Sequence, residues 1–264
     1  MFGKKKEKPE MVLREDGLTD YDVYVMGKQE KLFNLLFAAV ILFGVGYVFY
    51  HNKFLSALLM VFAVKWPKMR TRQIIEKRKN QLTLQFKDML YSLSSALSAG
   101  KSVESGIQDA LKDLRVIYPD PQTDILLELE YILRGIGMNN TVESMFSQFA
   151  ERAHLEDIDN FVDIFVTCKR TGGDLIEVMR STSNTIGEKI EVKQEIETTI
   201  SGKKYEFQFM MVLPVIMVLF LTLTSGDYMK PVFTEAAGIA AMTVAILIFG
   251  LSYLVGSKVM KINI

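Results

Sequence analysis

The chain reads as an all-α integral membrane protein in which two transmembrane hairpins flank a cytoplasmic antiparallel helical bundle. Three observations predict this. Long apolar runs gather at the two ends of the sequence, apolar positions recur at helical spacing between them, and glycine-plus-cap joints divide the middle into helices. The expected division is a cytoplasmic tail over 1–31, a first hairpin over 32–66, the bundle over 67–204, a second hairpin over 205–257 and a cytoplasmic tail over 258–264.

The opening MFGKKKEKPE is charged and has no apolar stretch until about residue 32, so it reads as a solvated tail rather than a cleaved signal. Leu32 to Tyr50 then supplies about 19 mostly apolar residues, roughly 28 Å as a helix and enough to cross a bilayer core. After His51-Asn52-Lys53, the run Phe54 to Trp66 has only about 13 residues. It is read as a second span because Lys65 and Trp66 can anchor its end and His51 and Asn52 can join its first turn.

The middle region carries stripes at helical spacing. Phe86, Met89, Leu90, Leu93 and Leu97 form one, and Val103, Ile107, Ala110, Leu111 and Leu114 the next. Ile125, Leu129, Ile132 and Ile136 mark a third helix, Val142, Met145, Phe146 and Phe149 a fourth. A fifth runs from Ile158 through Phe161, Ile164, Phe165 and Cys168, which places the single cysteine in a core stripe. Faces of this kind must bury against each other, which predicts a bundle.

Three joints share one chemistry, a glycine able to take the left-handed conformation followed by a short polar cap. They are Gly100 with Ser102, Gly135 to Asn140 with Thr141, and Gly172-Gly173 with Asp174. Asn140 with Glu143 and Asp174 with Glu177 have capping-box spacing. The last cytoplasmic helix, from Asp174 to about Ser201, is expected to be a stalk with Gly202 as a hinge before the third span, Tyr205 to Thr224. Pro214 should kink that span. The fourth, Glu235 to Gly256, carries Ala237, Ala241 and Ala245 as a small-residue stripe that another helix can approach closely.

Basic residues set the orientation. Lys65, Lys68, Arg70, Arg72, Lys77, Arg78 and Lys79 follow the second run, Lys203 and Lys204 precede the third, and Lys258 and Lys261 follow the fourth. The connecting loops carry only Lys53 and Lys230, so the positive-inside rule puts both termini and the bundle in the cytoplasm. With 31 basic and 31 acidic side chains the chain offers no net field to nucleic acid, and the membrane lipid is its first partner.

Chemical motifs fail one by one, and no cofactor is implied. Ala99-Gly100-Lys101-Ser102 resembles the end of a phosphate loop, but the required first glycine falls at Ser95 and a helix precedes it where a strand should. Gly226-Asp227 lacks a second intramembrane carboxylate for aspartyl peptidase chemistry. His51 and His154 fall on opposite sides of the membrane and cannot share a metal. Acid pairs such as Asp109 with Asp113 read as solvated helix faces. The chain reads as a non-enzyme.

The layout resembles the inner-membrane platform proteins of type II secretion and type IV pilus machines, in particular the short tight-adherence (Tad) pilus branch. The residues that carry the resemblance are QFKDMLYSLSSALSAGKSVESGIQDAL, ILRGIGMNNTVESMFSQFAER, FVTCKRTGGDLIEVM and DYMKPVF followed by Gly238. It implies a bundle that meets a hexameric secretion ATPase and helps extract pilin-like subunits, pairing with itself or with a sister platform protein. The nucleotide would then sit on the partner. Arg134, Arg152, Lys169 and Arg170 are the expected motor contacts, as cations near the bundle turns. The competing expectation is a membrane-anchored helical scaffold or signalling protein without a pilus role.

Overall fold

The computed structural model describes residues 18–259 and is helical throughout its regular elements. The described residues fall into two compact units, one of residues 18–27 and 70–192, the other of 28–69 and 193–259.

The first unit contains most of α3 (Trp66–Ser98), then α4 (Val103–Ile117), α5 (Asp124–Gly137), α6 (Val142–Ala153), α7 (Glu156–Thr171) and the start of α8 (Leu175–Thr224). Side-chain pairs show that each helix runs antiparallel to the one before it. Asp88 accepts from Tyr118 and Asp113 from Ser92 between α3 and α4, and Tyr131 with Gln148 and Glu128 with Arg152 join α5 to α6. Glu143 with Lys169 joins α6 to α7, and Asp157 with Lys189 joins α7 to α8.

The core is built on aromatic rings that meet edge to face, the arrangement the ring quadrupole favours. Phe161 lies 5.4 Å from Phe86 and 5.8 Å from Phe146, centroid to centroid, with interplanar angles of 75° and 84°. Leu82, Met89, Leu93, Ile107, Leu114, Ile125, Leu129 and Ile132 are fully buried around them. Ile164, expected in the α7 stripe, is 51% exposed, because Phe161, Val162 and Phe165 already fill the face that α7 turns inward.

The helix ends explain why the chain reverses where it does. Gly100 sits at φ +81° and Gly172 at φ +75°, the left-handed region that costs any other L-residue roughly 1–2 kcal/mol. The Ser102 hydroxyl accepts from the Ser105 amide, and Asp174 Oδ1 accepts from the Ile176 and Glu177 amides at 2.9 and 3.1 Å. At the middle joint Thr141 caps α6 as expected, accepting from the Ser144 amide at 3.2 Å, but Asn140 does not, and the left-handed residue is Asn139 at φ +64° while Gly135 is buried inside α5. Gly135 packs against the Met145 thioether, which an added Cβ would displace. Gly100→Val is therefore expected to lower the bundle's thermal stability, while Lys101→Ala, which removes only a half-exposed pair with Asp109, leaves it nearly unchanged in the same melt.

The second unit holds α1 (Lys28–Tyr50), α2 (Lys53–Leu59), a 3-10 segment (Met60–Lys65), the rest of α8, α9 (Gly226–Thr234) and α10 (Ala236–Val259). Among the described residues three helices are long and apolar enough to cross a membrane: α1, α8 and α10. Their large apolar side chains point outward, Phe33, Phe37, Phe209, Phe220, Leu247 and Leu251 all being more than half exposed, as lipid-facing residues must be. The expected second span is not among the three. Its seven-residue α2 and six-residue 3-10 segment reach roughly 22 Å and run directly into α3, so a crossing here would draw on the first turn of α3 as well. α2 folds back on α1 where Gly46 and the buried Ser56 allow close approach, a Cβ on Gly46 falling 3.0 Å from Ser56 Cα.

α8 is one 50-residue helix in which the expected stalk and third span are continuous through Gly202 and Pro214. DYMKPVF, expected in a connecting loop, lies in α9, and Gly238 is fixed by a backbone approach to Val232. Tyr50 donates to Thr243 at 3.0 Å and Phe49 meets Phe249, tying α1 to α10, while Ala237, Ala241 and Ala245 remain exposed.

Candidate functional site

The antiparallel order gathers the α3–α4, α5–α6 and α7–α8 turns at one end of the bundle. At this turn end Arg134 and Arg170 are exposed. Arg134 Nε donates to the Glu130 carbonyl one turn back at 3.3 Å. Lys169 donates to Glu143 at 2.8 Å, and this hydrogen bond first, ahead of burial, sets the direction for the Glu143 carboxyl, which lies below its usual value. Beside Arg134 a surface cavity of about 230 Å³ is lined by Tyr131, Gly135, Met138, Met145 and Gln148, with Met138 76% exposed. The Gly172–Gly173 turn closes over Cys168: the Gly173 amide donates to the Cys168 carbonyl at 2.9 Å, and a Cβ on Gly173 would lie 2.7 Å from the sulfur.

Arg152 does not belong to this surface. It is 1% exposed, with its guanidinium forked onto Glu128, Nε to Oε1 at 3.2 Å and Nη2 to Oε2 at 2.5 Å. Its guanidinium carbon also stands 4.9 Å from the centre of the Tyr131 ring. The reason is positional. Arg152 follows Met145 and Phe149 on the inward face of α6, and Glu128 lies between Ile125 and Leu129 on the inward face of α5. Two opposite charges on facing core stripes must find each other, since either alone would be costly to bury.

The same pair anchors a segment the sequence reading left as solvated tail. Residues 18–25 form a strap along the end of the bundle opposite the three turns, with Leu18, Thr19 and Tyr21 buried. The Tyr21 hydroxyl donates to Glu128 Oε1 at 3.0 Å, and its amide donates to the Arg152 carbonyl at 3.1 Å. The Arg78 guanidinium lies 4.7 Å from the Tyr21 ring centre while it pairs with Asp124 through two hydrogen bonds. Burial, reinforced by Glu128, holds the Tyr21 phenol well above its usual value. Burial also pushes the Glu128 carboxyl up, against the pull of Arg152. Lys79 reaches Asp22 at 2.7 Å and the His154 carbonyl at 3.0 Å, and His154 lies 3.3 Å from Asp20. The remaining residues of the expected tail, 1–17, lie outside the described residues, as do 260–264.

The described residues thus define an all-helical membrane protein with a six-helix antiparallel bundle whose turn end is dressed with cations. The family model described as Type II secretion system (T2SS), protein F matches residues 89–223, just over half of the chain, and the chain belongs to that family. It is therefore a member of a family of secretion platform proteins. No curated protein and no solved structure matches it.

Proposed function

We propose that the protein is the inner-membrane platform of a tight-adherence-type pilus, or of a closely related secretion machine, with both termini and the bundle in the cytoplasm. In this role it performs no chemistry. It receives motion from a hexameric secretion ATPase, passes it to pilin-like subunits leaving the membrane, and works as an oligomer with itself or a sister platform protein. The observation that carries the motor contact is the turn end, where Arg134, beside an open cavity, and Arg170 are exposed. Exposed cations at the rim of a contact steer and select an acidic partner more than they hold it. Lys169 is the third cation there and also braces α6 against α7 through Glu143, so its reversal would disturb the fold as well as the surface.

The test uses the full chain in detergent with its cognate ATPase. Arg134→Glu combined with Arg170→Glu is expected to weaken co-purification by about tenfold, a rim-charge effect, with the melting curve unchanged. Equal recovery of the ATPase by the wild type and the double variant would sink the contact.

A further inference from the structure

We propose that residues 18–25 are a detachable latch, the cis ligand of a preformed cradle built from Arg78, Asp124, Glu128 and Arg152, and that it opens without unfolding the bundle. The cradle assigns itself a ligand class: a short segment that turns at a tyrosine whose ring lies under one guanidinium and whose hydroxyl reaches a buried carboxylate.

The argument rests on where the charges are matched. Arg152 pairs with Glu128 and Arg78 with Asp124, and all four residues belong to the bundle. Departure of the strap therefore leaves both ion pairs in place. Glu128 keeps both contacts from Arg152, at 3.2 and 2.5 Å, and loses only a neutral phenol that water can replace. Among the strap's polar contacts, Asp22 with Lys79 and Asp20 with His154 each involve a partly exposed partner, a class of pair that holds weakly. Tyr21, 3% exposed, is buried with Leu18 and Thr19 beside it.

The strap also has a position that gives opening a consequence. Only Met26 and Gly27 separate Val25 from α1, which begins at Lys28, and a Cβ on Gly27 would meet nothing within 4 Å. A pull on α1 along the chain is felt at Tyr21 within a few residues. Under the platform reading, an open latch lengthens the free chain before the first membrane helix, and a closed one shortens it. The latch itself does not depend on that reading.

Hydrogen exchange on the full-length protein in detergent decides it. If the strap opens locally, its amides, Tyr21 included, exchange at least about tenfold faster than those of α5 and α6 in the wild type. Tyr21→Ala should speed strap exchange about tenfold more while leaving α5 and α6 unchanged. Tyr21→Phe, which keeps the ring and loses the hydroxyl, should fall between and remains informative if the alanine variant folds poorly. Strap amides that exchange in step with α5 and α6, or a Tyr21→Phe change that loosens those helices as much as the strap, would overturn the latch and make the strap a fixed part of the core. Neither result bears on ATPase binding, so the two proposals fail separately.

Discussion

Replacing Arg152 with alanine is expected to destabilise the bundle by about 3–5 kcal/mol, the cost of leaving one partner of a buried ion pair alone. The Arg152 side chain is 2% exposed and that of Glu128 is 0% exposed, so water cannot take the place of the lost guanidinium. Burial already pushes the Glu128 carboxyl up, and removing its first counter-charge leaves Tyr21 as its hydrogen-bond donor. Denaturant titration in detergent, followed by a tertiary signal from the bundle, measures the loss. Adding Glu128→Met to Arg152→Met should recover most of it, since replacing both charges with apolar groups of similar size is often neutral. If Arg152→Ala shifts the titration by less than about 1 kcal/mol, the value of an exposed pair, the side chain is not buried in solution.

Phe161→Ala should cost a comparable amount, about 3–5 kcal/mol, through a different mechanism. Phe161 is fully buried and touches rings from three directions: Phe86 on α3, Phe146 on α6 and Phe165 one turn along α7. Truncation leaves a cavity whose lining rings are themselves locked by their neighbours and cannot collapse into it. Ile164→Ala is the matched control, three residues along the same helix and 51% exposed, with an expected change within about 0.5 kcal/mol. Equal shifts for the two variants in thermal unfolding would mean that α7 turns a different face inward.

The helices were legible wherever local chemistry and packing agree. Asp174 followed by Glu177 announces a helix start because a carboxylate at that spacing satisfies free amides, and the structure shows it accepting from two of them. The apolar stripes of α4 and α6 name their buried residues almost one for one. The errors came where a residue was judged by type rather than by position. Arg152 looked like surface because it is an arginine, yet its place on the α6 stripe put it in the core, and Glu128 occupies the corresponding place on α5. The strap was illegible because eight residues without period carry no pattern, and Tyr21 is buried by partners more than 50 positions away in the chain.

The three turns separate two kinds of constraint. Where the chain reverses is dictated by backbone: the left-handed Gly100, Asn139 and Gly172, and the caps Ser102, Thr141 and Asp174. Side chains standing between those fixed points, such as Met138, Asn140 and Arg170, are exposed. Such a surface can be rewritten a few letters at a time to suit a new neighbour while the scaffold under it stays the same. Under the platform reading, the face offered to a partner can thus change its letters while the turns that hold it in place cannot.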